Sequence, residues 1–268
     1  MNDSGGHPPL PETIAGTQTA GSAIVAPDVT PLTAPLHPAP VSSPGQSIKS
    51  PAKTPGRKNH TLYKDSLYML RRGECFYLIS EDYSYKTGSY YTVLRMEMEG
   101  KQVLPSTGAM IDAFVVPISL ERAELAGIPV CAWEISQGYV PLPAILYGIN
   151  YFATTSEFII ASDSETAKEA VKHITNKGKY PFCYQKLDEG ADICQCTAIF
   201  GKTIGQKDAV AELAEKVYAL FSIPLMQLVM VRNGERYALS SISSTRYSHL
   251  TEAERSLLEA HLCHQEFL

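Results

Sequence analysis

The chain has 268 residues, 23 Lys and Arg against 28 Asp and Glu, and a formal net charge of -5. Of its 18 prolines, 11 fall within residues 1–58, a stretch that contains no Phe, Tyr or Trp. Setting aside the four basic and three acidic residues there leaves residues 61–268 with 19 basic and 25 acidic side chains. That balance argues against an extended phosphate-binding surface and so against nucleic acid as a partner.

Residues 1–60 read as a disordered Pro/Ala/Thr/Ser-rich tail, because they offer too little apolar surface to offset the entropy of ordering. The basic residues Lys49, Lys53, Arg57 and Lys58 close it as a solvated linker. Residues 61–268 read as a single domain. No run of 18 apolar residues occurs and the N-terminus lacks the basic start and apolar stretch of a signal peptide, so neither a membrane nor secretion is expected. Cysteines at 75, 131, 183, 194, 196 and 263 sit partly inside apolar runs, which suits reduced thiols in a cytoplasmic protein. Cys194 and Cys196, with Cys183 upstream, have no fourth ligand at zinc-site spacing, and no metal is expected.

In chain order, Cys75–Ser80 reads as an aromatic-rich strand and Thr87–Glu99 as a helix stopped by Gly100, with Tyr90, Tyr91, Leu94 and Met98 on one side. Gln102–Leu104 is a short strand before Pro105, and residues 106–113 a short helix or helical turn. Val115–Ile118 and Pro129–Ile135 are predicted strands around a helix at Leu120–Ala126. Residues 137–157 suit loop or strand. Phe158–Ala161 then feeds a helix at Glu165–Asn176, with Ser162 and Glu165 spaced as a capping box. Thr197–Gly201 is a strand, and Asp208–Phe221 has the periodicity of an amphipathic helix. Leu225–Val231 and Arg236–Ile242 flank Asn233-Gly234, a hairpin signal, and a last helix at Glu252–His264 starts with a capping box at Thr251 and Glu254. Strand–helix units early and an antiparallel hairpin late predict an α+β (mixed α/β) domain, one central sheet with packed helices.

Signatures of catalysis are absent: there is no phosphate-loop, dinucleotide, nucleophile-elbow or zinc-protease motif. Gly201, Lys202, Thr203 and Gly205 lack the phosphate-loop spacing and read as an ordinary strand-to-helix turn. His261 and His264 read as polar positions on the last helix, and Asp188, Glu189 and Asp192 as a solvated loop. The densest polar and aromatic group runs from Asp82 through Tyr83, Ser84, Tyr85, Lys86 and Thr87 to Tyr90 and Tyr91. It lies between a strand and the following helix, at the end of a sheet where ligands bind in α/β layouts.

The same stretch resembles a known family. Tyr77-Leu78-Ile79-Ser80, Asp82-Tyr83-Ser84-Tyr85, Gly88-Ser89-Tyr90-Tyr91, then Gly100 and Val103-Leu104-Pro105-Ser106 look like the RimK-like ATP-grasp N-terminal domain, RLAN. Leu220-Phe221-Ser222-Ile223-Pro224-Leu225, the hairpin, Leu239-Ser240-Ser241-Ile242 and the closing helix are similar to its C-terminal half, so the resemblance spans roughly Tyr77 to Phe267. The chain departs from the pattern by one extra residue in Gly88-Ser89-Tyr90-Tyr91, by Arg95-Met96-Glu97-Met98-Glu99 in place of Ala-Glu-Ala, and by Gly100-Lys101 in place of Gly-His. In that family the module is usually fused to an ATP-grasp ligase that joins a carboxylate to an amine.

The resemblance implies a stand-alone module without the ATP-grasp domain and without an autonomous ligase site. It would act as an accessory or substrate-binding module with a separately encoded ATP-grasp ligase, on an amino-acid or peptide substrate. By motif position it implies binding roles for Asp82, Tyr85, Lys86, Tyr90, Tyr91 and Ser106, and it names no catalytic residue and no cofactor. Two alternatives stand beside it: a ligand-free protein-interaction module with Tyr85, Tyr90 and Tyr91 buried, and a small autonomous amide- or peptide-processing enzyme with a deep cleft at Asp82–Tyr91.

Overall fold

The computed structural model describes residues 68–263 and 266–267. The expected tail at residues 1–60 and His264 lie outside them. The mixed α+β class holds, but the strands form three sheets where one was expected. In the first, β1 (Tyr68–Arg72) pairs antiparallel with β2 (Cys75–Ile79) through a turn at Gly73. Helix α1 (Gly88–Met98) then carries the chain to β3 (Gln102–Leu104), parallel to β2. The other edge of β1 pairs with Glu266–Phe267.

Two short helices follow, α2 (Thr107–Phe114) and α3 (Val116–Leu125). The strand expected at Val115–Ile118 is the entry to α3. Its β-branched residues favour a strand, but Pro117 in the first turn fits a helix start, where no backbone donor is needed. Beneath the turn, Glu97 accepts bonds from the Thr107 amide and hydroxyl and ties α1 to α2.

The third sheet has the order β4-β7-β5-β6, with β4 (Trp133–Ser136), β5 (Ala144–Gly148), β6 (Phe158–Ala161) and β7 (Phe182–Lys186). Along β5, Ala144 and Leu146 join the apolar cluster under helix α4 (Ser164–Ile174), while Ile145 and Tyr147 join the main core. Strand β5 is therefore buried on both faces. Helix α4 is capped by Asp163 rather than by Ser162. The helix starts at Ser164, and the Asp163 carboxylate accepts from the amides of Glu165 and Thr166 and from the Thr166 hydroxyl.

The second sheet joins β8 (Asp192–Ile199), β9 (Leu225–Asn233) and β10 (Arg236–Ser243), all antiparallel. Asp192 opens β8 and pairs with Arg232, so it belongs to the sheet and not to a loop. Helix α5 (Asp208–Phe221) connects β8 to β9 and buries Val210, Leu213, Ala214, Val217 and Phe221. Helix α6 (Glu252–Cys263) begins with the expected box, Thr251 and Glu254 bonding reciprocally. The main core gathers side chains from all three sheets and from α1, α2, α3 and α5. No helix among the described residues is long and apolar enough to cross a membrane.

Candidate functional site

Where β2, β5 and β10 end, three connecting segments meet around a cleft of about 660 Å³. The first is the β2–α1 turn, which contributes Glu81, Asp82, Ser84, Tyr85 and Lys86. The second is the β5–β6 loop, from Gly148 to Glu157, and the third follows β10, contributing Ser244, Arg246 and His249. Met110, Ile111 and Phe114 of α2 supply an apolar wall.

Local hydrogen bonds explain why the β2–α1 turn holds its shape. Tyr83 turns inward, fully buried, and its hydroxyl accepts from the Ser80 amide and donates to the Leu78 carbonyl. Burial pushes that phenol's pKa far up. Asp82 accepts from the Ser84 amide at 2.8 Å, and Thr87 caps α1 by accepting from the Tyr90 amide. The same acidic pair binds the far segment. Asp82 accepts from the Ser244 hydroxyl at 3.2 Å, and Glu81 accepts from the Tyr247 amide at 2.7 Å.

The opposite rim is set by Asn150. Its side-chain oxygen accepts from the amides of Phe152 and Ala153, closing an Asx-type turn, and its amide nitrogen donates to the Ile174 carbonyl at the end of α4. Lys86 bridges the two rims. Its ammonium donates to the Ala153 carbonyl at 3.1 Å and lies 5.0 Å from the Tyr151 ring centroid and 5.8 Å from that of Tyr85. Tyr85 and Tyr151 are 5.9 Å apart, and burial together with Tyr151 and Tyr91 raises the Tyr85 phenol pKa. Arg246, His249 and Glu157 line the cleft, and their side chains have no hydrogen-bond or ion-pair partner among the described residues.

Of the six residues singled out from the sequence, Asp82, Tyr85 and Lys86 line the cleft. Tyr90 packs against the main core, and Tyr91 stands beside it, 57% exposed, with their ring centroids 5.5 Å apart. Ser106 caps α2 through the Ala109 amide. The burial expected of a ligand-free module falls on Tyr83, whereas Tyr85 is 37% exposed. Reasoning from sequence missed Arg246, His249, Asn150 and Glu157. The only local signal was the aromatic cluster around Asn150; Arg246 lies more than 150 residues from Asp82 and comes near it only through the β9–β10 hairpin.

Two other candidates resolve differently. Gly201, at φ +78, turns the chain back between Ile199 and Lys202, and a Cβ there would lie 2.8 Å from the Cβ of Tyr218. The turn is thus made for packing, and α5 starts only at Asp208. His261 is half-buried: its ring stacks on Phe200 at 4.4 Å and lies 3.2 Å from the Arg72 guanidinium.

The family described as "RimK-like ATPgrasp N-terminal domain" matches residues 153–261. The motif stretch from Tyr77 to Ser106 lies outside that match, while the cleft residues from Ala153 to His249 lie inside it. No curated protein sequence matches the chain. Among solved structures, a RimK domain ATP-grasp protein from Sphaerobacter thermophilus aligns with 14% identity and a TM-score of 0.47, over 64% of this chain and 71% of that one. The ATP-grasp ligase PsnB, complexed with minimal precursor, Mg and ADP, aligns with 15% identity and a TM-score of 0.46, over 65% and 66%. The D-alanine-D-alanine ligase of Helicobacter pylori aligns with 12% identity and a TM-score of 0.47, over 63% and 64%. The chain thus spans about two thirds of the length of each.

Proposed function

We propose, from the match of residues 153–261 to the RimK-like ATP-grasp N-terminal domain, that this chain is an accessory, substrate-binding module. It binds an amino acid or peptide in the cleft between Lys86 and Arg246 and acts with a separately encoded ATP-grasp ligase in amide or peptide bond formation. The observation that supports this reading is the convergence in one concave site of both signs of charge. Lys86, Arg246 and His249 can meet a carboxylate, and Asp82 and Glu157 an ammonium, while Tyr85, Tyr151 and the α2 wall cover an apolar side chain. A zwitterionic ligand satisfies both sets, whereas a purely anionic one leaves the carboxylates facing it.

The test is co-purification of the full chain with ATP-grasp ligases of its own host, paired with calorimetry of amino acids and short peptides. The expected result is a stable complex, no ATP turnover by the isolated chain, and ligand binding weakened at least about tenfold by Lys86→Ala combined with Arg246→Ala. Recovery of no ATP-grasp protein, or binding indifferent to both substitutions, would sink the proposal.

A further inference from the structure

Away from the cleft, and sharing no lining residue with it, a second concavity of about 540 Å³ runs along α4. Its inner wall is one stripe of that helix, Ala167, Lys168, Val171, Lys172 and Thr175, spaced three and four residues apart as one helical face requires. The stripe from Ser164 to Thr175 covers about 16 Å of helix at 1.5 Å per residue. The outer wall is the β4–β5 connection, where Val140 and Leu142 pack on the α4 cluster and Tyr139 is 72% exposed.

Charge divides this groove from the rest of the molecule. Lys168, Lys172 and Lys177 line it, and no Asp or Glu does, although the chain as a whole is acidic. Lys172 has an exposed ion pair with Glu169 at 3.4 Å. Lys168 and Lys177 have no side-chain partner among the described residues. An apolar floor with an exposed tyrosine at one side and unpaired ammoniums at the other is the anatomy of a helix-in-groove recognition site.

We infer that this groove docks an acidic amphipathic helix of a partner protein, about three turns long. Its apolar residues at i, i+3, i+4 and i+7 pack on Val140, Leu142, Ala167 and Val171. Its flanking Glu or Asp side chains meet Lys168, Lys172 and Lys177. The length follows from the stripe, and the charge from the lysines. A basic helix would bring like charges together, and an uncharged one would leave Lys168 and Lys177 with no protein counter-charge.

The experiment uses the full chain and two fluorescein-labelled synthetic peptides of identical apolar pattern, one flanked by Glu and one by Lys. Anisotropy should show the acidic peptide binding at least about tenfold more tightly, with affinity falling as salt is raised. Lys168→Glu, Lys172→Glu and Lys177→Glu together should reverse the preference, and because all three lie at the surface the circular dichroism spectrum should not change. Val171→Asp should weaken both peptides. Equal binding of the two peptides, or no binding of the acidic one, overturns the inference. So does acidic-peptide binding untouched by the lysine reversal. Vesicles containing phosphatidylglycerol form the last arm; binding to them through the same lysines, with none to the acidic peptide, would mark a membrane surface instead and overturn it equally.

Discussion

Tyr147 brings a hydroxyl to the point where the second and third sheets face each other with no exposed surface. It lies 2.8 Å from the Ser240 hydroxyl and 3.1 Å from that of Ser241. Ser240 in turn donates to the Gln185 side-chain oxygen, and the Gln185 amide donates to the Ser240 carbonyl. The register of β10 shifts between Leu239 and Ser241, which presents Ser240 to this group. Burial holds the Tyr147 phenol up at about 12, so it stays protonated throughout the usual pH range. Tyr147→Phe leaves buried hydroxyls short of a partner and is expected to cost about 1–3 kcal/mol of unfolding free energy, read from urea titrations. Gly148, the next residue, is fixed for a different reason. A Cβ there would sit 2.8 Å from the Cβ of Ala153, on the cleft rim. Gly148→Ala should lower stability by about 1–3 kcal/mol and loosen the β5–β6 loop, which proteolysis at that loop would detect.

Among the elements, α6 is held by an arrangement sensitive to acid. The neutral His261 ring accepts from Arg72 and stacks on Phe200, over which Arg72 also lies at 5.0 Å. Burial, then Arg72, then Lys202 lower the His261 pKa below its ordinary 6.5. Since the folded value lies below the unfolded one, this contribution is fully present above about pH 6.5 and is lost as pH falls through the folded value. Protection factors for amide exchange in α6, taken relative to the intrinsic rate at each pH, should therefore fall in acid more than those in α5, and His261→Phe should remove that difference. Equal acid sensitivity of the two helices would contradict the assignment.

The same scale shows what could be read in advance. Asp208–Phe221 was legible because Val210, Leu213, Ala214 and Val217 repeat at helical spacing against a polar face. The β9–β10 hairpin was legible from Asn233-Gly234. Strand β5 was not, because Ala144 to Tyr147 is buried on both sides and shows no alternation of apolar and polar residues. Strand β1 and its pairing with Glu266–Phe267 depend on residues nearly 200 apart, for which no local pattern exists. The cleft divides in the same way. Asp82, Tyr85 and Lys86 announced themselves by local density, whereas Arg246 and His249 follow an unremarkable Ser-Ser-Thr run and gain meaning only from the fold.

At the scale of the whole molecule, the main core is shared by all three sheets, while the third sheet also has a smaller apolar cluster of its own under α4. The chain has one tryptophan, Trp133, in the edge strand β4, packed against that shared core. Its fluorescence reports on β4 and the part of the shared core it touches, while far-ultraviolet circular dichroism reports on every element. The two unfolding curves in urea are expected to coincide. A Trp133 transition at clearly lower urea would mean that the third sheet unfolds by itself, against the reading of one cooperative core.

Asn150 carries a mechanical consequence. Its side chain grips the cleft loop with its oxygen and the last turn of α4 with its nitrogen. The cleft rim and the helix that walls the lysine-lined groove are thereby tied together through this amide. A displacement of the helix end must either drag the rim along or break that tie. The two concavities, which share no lining residue, share a structural tie.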